Sequence, residues 1–160
     1  MTRRESREAA MGLIFEQDFD ITRDPEEILS LAAEERGERF STFARELFIR
    51  TSENRGDIDV KIAEGSHNWN FERIGRVPLA ILRMAACELF YFPEIPIETT
   101  VNEALEIAKK FDDESSVAYI NGVLGRLADG MEKPLASPKP EPEDEPEATG
   151  ENSADTGEEA

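Results

Sequence analysis

Between Val77 and Phe92 the chain carries only two charges, Arg83 and Glu88. A helix of this composition is apolar on nearly every side, so it can fold only where other elements cover it all round. Arg83 and Glu88 are five positions apart, about 140° around an axis that turns 100° per residue. They cannot readily pair with each other. Each calls for a partner on another helix, because an unpaired buried charge is expensive. The sequence must therefore supply a bundle around this segment. Ion pairs within it read as structural rather than catalytic.

The rest of the chain supplies that bundle. Strand signals are nearly absent and period-3.6 patterns recur. Arg3 to about Phe19 starts polar and turns apolar at Ala9, Ala10, Leu13, Ile14 and Phe15. Asp24-Pro25-Glu26-Glu27 starts a second helix: Asp24 caps, Pro25 suits the first position and Glu27 completes a capping-box-like reach. Ile28, Leu31 and Ala32 share its face, and Gly37 is a plausible stop. Phe40, Phe43, Ala44, Leu47 and Phe48 follow the spacing i, i+3, i+4, i+7, i+8. Asn54-Arg55-Gly56 marks a turn, and Asp57 caps a weaker helix through Ile58 and Ile62 to Gly65. Asn68-Trp69-Asn70-Phe71 reads as a connector whose aromatics pin it to the core. After the break at Pro93-Glu94-Ile95-Pro96, Thr100 and Glu103 spell a capping box. Val101, Ala104, Leu105, Ala108 and Phe111 then line one face. Val117, Ile120, Leu124, Leu127 and Met131 form the last stripe. Seven helices in about 130 residues make an all-α domain.

The chain has 160 residues, 18 basic and 36 acidic, for a net charge of −18. Residues 1–133 hold 17 basic and 27 acidic residues, a net of −10, and all twelve aromatics. Residues 134–160 hold Lys139 against nine acids, with five of the nine prolines and Leu135 as the one large aliphatic. The expected division is a helical domain over 1–133 and a disordered acidic Pro/Glu-rich tail over 134–160.

Several classes of function are disfavoured. No apolar run approaches the ~20 residues needed to span a bilayer, and the N-terminus leads to no apolar core of a secretion signal. Cys87 and His67 are each alone of their kind. They make no disulfide or zinc site, and the lone thiol suits a reducing cytoplasm. A nucleophile–histidine site would have to use His67. Gly122-Val-Leu-Gly125 matches a KH-type G-x-x-G only as letters inside a helical pattern, and Arg55-Gly56-Asp57 reads as a chance adhesion tripeptide. Glu103 with Glu106, or Glu26 with Glu27, could be taken for acid/base pairs, but Glu at helix starts follows from capping alone. The expectation is a protein without catalytic residues, metal or cofactor.

The informative charges are at the start. Arg3, Arg4 and Arg7 cluster in an acidic chain, with Arg3 and Arg7 on one helix face. Guanidinium groups grip phosphates bidentately, so an arginine-bearing helix end is a candidate RNA footprint. The competing reading is a solvated helix start salted by Glu5 and Glu8.

Residue order carries a resemblance. Arg3-Arg4-Glu5-Ser6-Arg7-Glu8-Ala9-Ala10 is followed by Leu13-Ile14-Phe15. Asn68-Trp69 and Arg73-Ile74-Gly75-Arg76-Val77 lead to Ala80-Ile81-Leu82-Arg83-Met84-Ala85 and Glu88-Leu89. Ile95-Pro96 and Val101-Asn102-Glu103-Ala104 run through Ala108-Lys109-Lys110-Phe111 to Tyr119-Ile120-Asn121-Gly122-Val123-Leu124. In order and spacing, these blocks make the chain similar to the NusB family of transcription antitermination factors over about 2–131.

The resemblance implies an all-α, seven-helix fold of two small bundles packed together, with no enzymatic activity. It implies binding to the boxA element of ribosomal RNA leaders together with NusE, a small-subunit ribosomal protein. The pair would join the elongating RNA polymerase with other Nus factors. By the same resemblance Arg3, Arg4, Arg7, Ser115 and Tyr119 are RNA-binding candidates, Tyr119 as a stacking platform. Phe15 and Pro78 are the NusE-facing candidates. Phe15 stands where many relatives have tyrosine and Pro78 where an acidic residue would stand. Arg83, Glu88, Asn102, Glu103 and Asn121 are implied to be buried polar ties between helices, with Gly122 permitting close packing. Glu103 is one candidate partner for Arg83.

Other readings remain open. One is a protein-interaction scaffold without strong RNA binding, favoured by Glu5 and the acidic balance. Another is an RNA-modifying enzyme, since such domains also precede ribosomal RNA methyltransferases, though no catalytic domain follows here. The tail is either a solubilising extension or a segment that folds back on the Arg3–Arg7 patch. A homodimer is also open.

Overall fold

The structure, a computed structural model, describes residues 1–66 and 73–133. The connector around Trp69, His67 and the acidic tail lie outside the described residues. Among the described residues there are seven helices: α1 Arg3–Gln17, α2 Pro25–Arg36, α3 Thr42–Glu53, α4 Arg55–Gly65, α5 Arg76–Tyr91, α6 Ile97–Phe111 and α7 Glu114–Ala128. Among the described residues there is no strand, and no helix is long and apolar enough to cross a membrane.

Capping chemistry sets most helix starts. The Thr2 hydroxyl accepts the Glu5 amide at 3.1 Å, and the Glu5 carboxylate accepts the Thr2 amide at 2.7 Å. This reciprocal box starts α1, and the backbone hydrogen bond holds the Glu5 carboxyl below its ordinary value. Asp24 accepts from the Glu26 amide at 3.1 Å and Pro25 is the first residue of α2. Glu27 makes no return bond to the cap; it lies 3.8 Å from Arg23. Gly37, at φ 65°, closes α2 in the left-handed region that favours glycine. Ser41 caps α3 at 3.0 Å from the Ala44 amide, and Asp113 caps α7 at 2.9 Å from Ser116.

Three expected starts are corrected. Phe40 precedes α3 rather than belonging to it. Asp57 lies inside the first turn of α4, where Asn54 occupies the cap position. Thr100 is inside α6, because Pro96 already supplies the break at its start. The Thr100 hydroxyl has a different job, donating to Glu88 at 2.8 Å.

α5 is the middle of the fold. It packs against α1, α3, α4, α6 and α7, and it is buried without interruption from Pro78 to Leu89. One bundle is α1–α3 and the other α4–α7, with α5 touching both. The interior is aliphatic: Leu13 and Ile14, Leu47 and Phe48, Ile58 and Ile62, Ile81 and Leu82, Ile107, Ile120 and Leu124 are almost wholly covered. Each such side chain contributes roughly 1.5–3 kcal/mol by leaving water. Gly65, at the end of α4, is the glycine that permits close packing. A Cβ there would lie 3.2 Å from Leu127 of α7. At Gly122 the nearest neighbour would be the Arg126 side chain of the same helix, so the expectation of a close helix contact there is corrected.

The two charges of α5 find partners on other helices. Glu88 accepts Arg7 Nε at 2.7 Å and Nη2 at 3.1 Å, and Arg7 and Glu88 are both 1% exposed. Arg83 grips Asp59 of α4 through Nε at 2.8 Å and Nη2 at 3.0 Å, and its Nη1 reaches Asp18 at 3.1 Å. Glu103 is not its partner; it belongs to Arg4. Asp18, at the C-terminus of α1, also receives Arg55 at 2.6 Å and Arg76 at 2.9 Å. Burial alone would raise the Asp18 carboxyl. The Arg55 and Arg83 hydrogen bonds and charges together outweigh it and hold the group below its ordinary value. Burial pushes the Cys87 thiol up to about 12, so it carries no nucleophile at neutral pH.

Two outcomes follow from these pairs. Arg7→Met leaves the Glu88 carboxylate buried with Thr100 alone, and urea unfolding should show a loss of about 3–5 kcal/mol. Arg7→Met with Glu88→Leu should recover most of it; an equal loss in both would contradict the account. Asp18 binds fewer protons folded than unfolded. Its contribution is therefore complete above its ordinary value of 3.8 and is lost as pH falls through the lower folded value. Asp18→Asn should flatten the acid limb of stability against pH; an unchanged limb would count against this cluster.

Candidate nucleic-acid and partner interface

The N-terminal turn of α1 lies against α3 and α6. Thr2 starts this helix so that consecutive arginines fan in different directions. The Arg3 guanidinium lies 4.0 Å from the centre of the Phe43 ring, a cation–π stack. Arg4 forks onto Glu103 of α6 at 2.9 and 3.0 Å, and its side chain is still 49% exposed. The Arg4 hydrogen bonds hold the Glu103 carboxyl below its ordinary value against the opposing effect of burial. One turn on, Lys110 of α6 meets Glu8 of α1 at 3.0 Å. Arg7 is a correction: its guanidinium is inside the protein on Glu88 and offers no surface to an external phosphate.

Beyond these pairs, α1, α5 and α6 enclose an apolar groove of about 220 Å³ lined by Met11, Gly12, Phe15, Val77 and Phe111. The groove continues outward. Phe111 is 46% exposed and Phe19 63%, with the Phe15 and Phe19 rings 5.4 Å apart edge to face. Arg76 covers the Phe19 ring at 4.4 Å. Contiguous exposed aromatics of this kind mark an interaction surface. Phe15, a partner-facing candidate by the resemblance, lines this groove. Phe19, Val77 and Phe111 carry no such mark in the sequence, because Phe111 falls on the apolar stripe of α6 and is exposed only as its last residue.

On the other side of the first turn of α5 is a second concavity, about 180 Å³, lined by Arg73, Ile74, Gly75, Pro78, Ser115, Ser116 and Tyr119. It brings Ser115, Tyr119 and Pro78 together from helices distant in sequence. Pro78, at the third position of α5, lacks the amide that would be unsatisfied there. It is buried, so it shapes the cleft rather than presenting a broad contact to a partner. A Cβ on Gly75 would lie 3.3 Å from Pro78 Cδ, so the cap backbone sits close against the first turn of α5. The Tyr119 hydroxyl donates to Ser66 Oγ at 2.8 Å, and Ser66 donates on to the Ile62 carbonyl at 2.7 Å. The ring is thus held from its far edge. Ser115 is exposed and its hydroxyl donates to Asp113 at 2.8 Å.

Asn102 and Asn121 are exposed, which corrects the expectation that they are buried ties. No group of acidic, His and Cys side chains among the described residues has the arrangement of a metal site.

These features sit on a known background. The sequence model of the NusB family matches residues 4–129. The chain is 37% identical over 137 residues to the transcription antitermination protein NusB of Natranaerobius thermophilus, covering 83% of this chain and 99% of that one. It is 40% identical over 131 residues to the NusB of Bacillus mycoides, covering 82% of this chain and 100% of that one. The solved structure of T. maritima NusB superposes with a TM-score of 0.69 at 34% identity, over 81% of this chain and 92% of that one. A crystal structure of the antitermination factors NusB and NusE in complex with dsRNA has a TM-score of 0.71 at 21% identity, over 81% and 97%. That last likeness is one of fold. With the seven-helix fold and the family match spanning almost all of the described chain, the protein belongs to the NusB family.

Proposed function

We propose that this chain is a cytoplasmic, non-catalytic RNA-binding transcription antitermination factor. It binds the boxA element of ribosomal RNA leader transcripts together with NusE and joins the elongating RNA polymerase with other Nus factors. The observation that carries the reading is the pairing of two surfaces across one helical turn. An exposed aromatic groove suits a protein partner, and a Tyr119-lined cleft suits an unstacked base. A relative of the same fold is known in a crystal with NusE and dsRNA. In this reading Phe15, with Phe19, Val77 and Phe111, meets NusE, and Pro78 shapes the turn between the surfaces. Arg3, Arg4, Ser115 and Tyr119 meet RNA, and Arg7 holds α1 in place through Glu88.

Electrostatics decides how this binding works. Residues 1–133 carry a net of −10, and Arg4 is already paired with Glu103. Long-range attraction of RNA to the domain alone is therefore weak, and a basic partner must supply the rest of the field. The engagement of Arg3, Arg4 and Arg7 within the fold favours a second reading, a scaffold without strong RNA affinity of its own.

Gel shifts with boxA RNA and a scrambled control, with and without NusE, separate the two. The antitermination reading expects boxA-selective binding that needs NusE and weakens as salt rises; no binding in the presence of NusE leaves the scaffold. Tyr119→Ala should weaken the ternary complex about tenfold, the loss of one stacked base. Phe15→Ala with Phe111→Ser should weaken NusE binding measured without RNA, and full NusE affinity in that variant would reject the groove.

A further inference from the structure

Most arginines around the interface are spoken for. Arg4 is on Glu103, Arg7 on Glu88, Arg55 and Arg76 on Asp18, and Arg83 on Asp59 and Asp18. Arg73 is different. It is exposed, it lines the cleft that holds Tyr119, and it makes no ion pair with any described residue. It stands two residues before Gly75, the cap residue of α5, so its guanidinium has only a short reach to the cleft.

We propose that Arg73 is a phosphate-gripping residue that acts with Tyr119 to hold one splayed nucleotide of single-stranded RNA. The proposal rests on the RNA-binding function proposed above and names a contact within it. The cleft has two chemically distinct ends. At the α7 end, Asp112, Asp113 and Glu114 repel a phosphate, and the Ser115 hydroxyl, already donating to Asp113, keeps lone pairs that can accept from a base. At the other end Arg73 is the cation. The nucleotide is therefore oriented, with its base on the α7 side and its phosphate on Arg73. Ile74 and Pro78 form apolar walls for a flat ring. Because Ser66 anchors the Tyr119 hydroxyl, the ring needs little reordering to accept a base. A planar fork with five donors suits the phosphate, and its pairing there does not require another ion pair to break first.

The test uses the full chain with NusE and boxA RNA, titrated over a range of salt concentrations. Arg73→Ala should weaken RNA binding about tenfold, the scale of one charge-assisted contact. It should also reduce the slope of log affinity against log salt by about one. Arg73→Lys should keep the slope and recover part of the affinity. The urea midpoint and the NusE affinity without RNA should not change. Unchanged affinity and slope in Arg73→Ala, with Tyr119→Ala still weakened, would overturn the Arg73 assignment and leave the RNA-binding function standing. A loss of NusE affinity in Arg73→Ala would overturn it in favour of a partner contact. Failure of the wild-type chain to bind RNA with NusE would reject both.

Discussion

Everything in this fold depends on covering α5 on all sides. A helix buried from Pro78 to Leu89 leaves its two charges no water, and each must be met by a side chain from elsewhere. Glu88 is met by Arg7 of α1 and Thr100 of α6, and Arg83 by Asp59 of α4 and Asp18 at the end of α1. These bonds are directional where the aliphatic core is not. Apolar contacts supply most of the stabilisation. The ion pairs add a geometric requirement: α1, α4 and α6 must reach α5 at particular heights. A buried pair is poor evidence of net stability, and here its consequence is register.

That register builds the interface. Asp18 at the end of α1 draws in Arg55, Arg76 and Arg83, which fixes the first turn of α5 beside α1. This turn divides the aromatic groove from the Tyr119 cleft: Val77 lines one and Pro78 the other. In the proposed function, a partner seated in the groove would lie within one helical turn of a nucleotide in the cleft. Proximity of this kind lets a basic partner add its field where the domain's own net charge is unfavourable.

The sequence was most readable where the physics is local. The caps at Asp24 and Gly37, the stripe on α3 and the all-round apolar character of α5 need only neighbouring residues. So did the conclusion that Arg83 and Glu88 must find separate partners. Which partners they find depends on residues 12 to 81 positions away, and spacing says nothing about that. Arg7 looked like part of a surface cluster because Arg3 and Arg4 precede it, yet one helical turn carries it under the surface to Glu88. Thr100 and Glu103 matched a capping box in letters, but Pro96 had already started the helix, and each side chain turned to a different long-range partner. Asn102 and Asn121, taken for buried ties, are exposed. Ser115 and Tyr119, one helical turn apart on α7, line one cleft. What distinguishes Arg73, Phe19 and Phe111 is exposure, a property of the packed molecule that residue order does not carry.

Native-state hydrogen exchange tests the central place of α5 most directly. If α5 is the element on which the rest is assembled, its amides from Leu79 to Leu89 should be the slowest to exchange. Their opening free energy should equal that of global unfolding, with α2 and the outer turn of α7 opening at lower cost. Exchange of α5 through a partial opening, while α1 or α6 amides remain protected to the global limit, would contradict it.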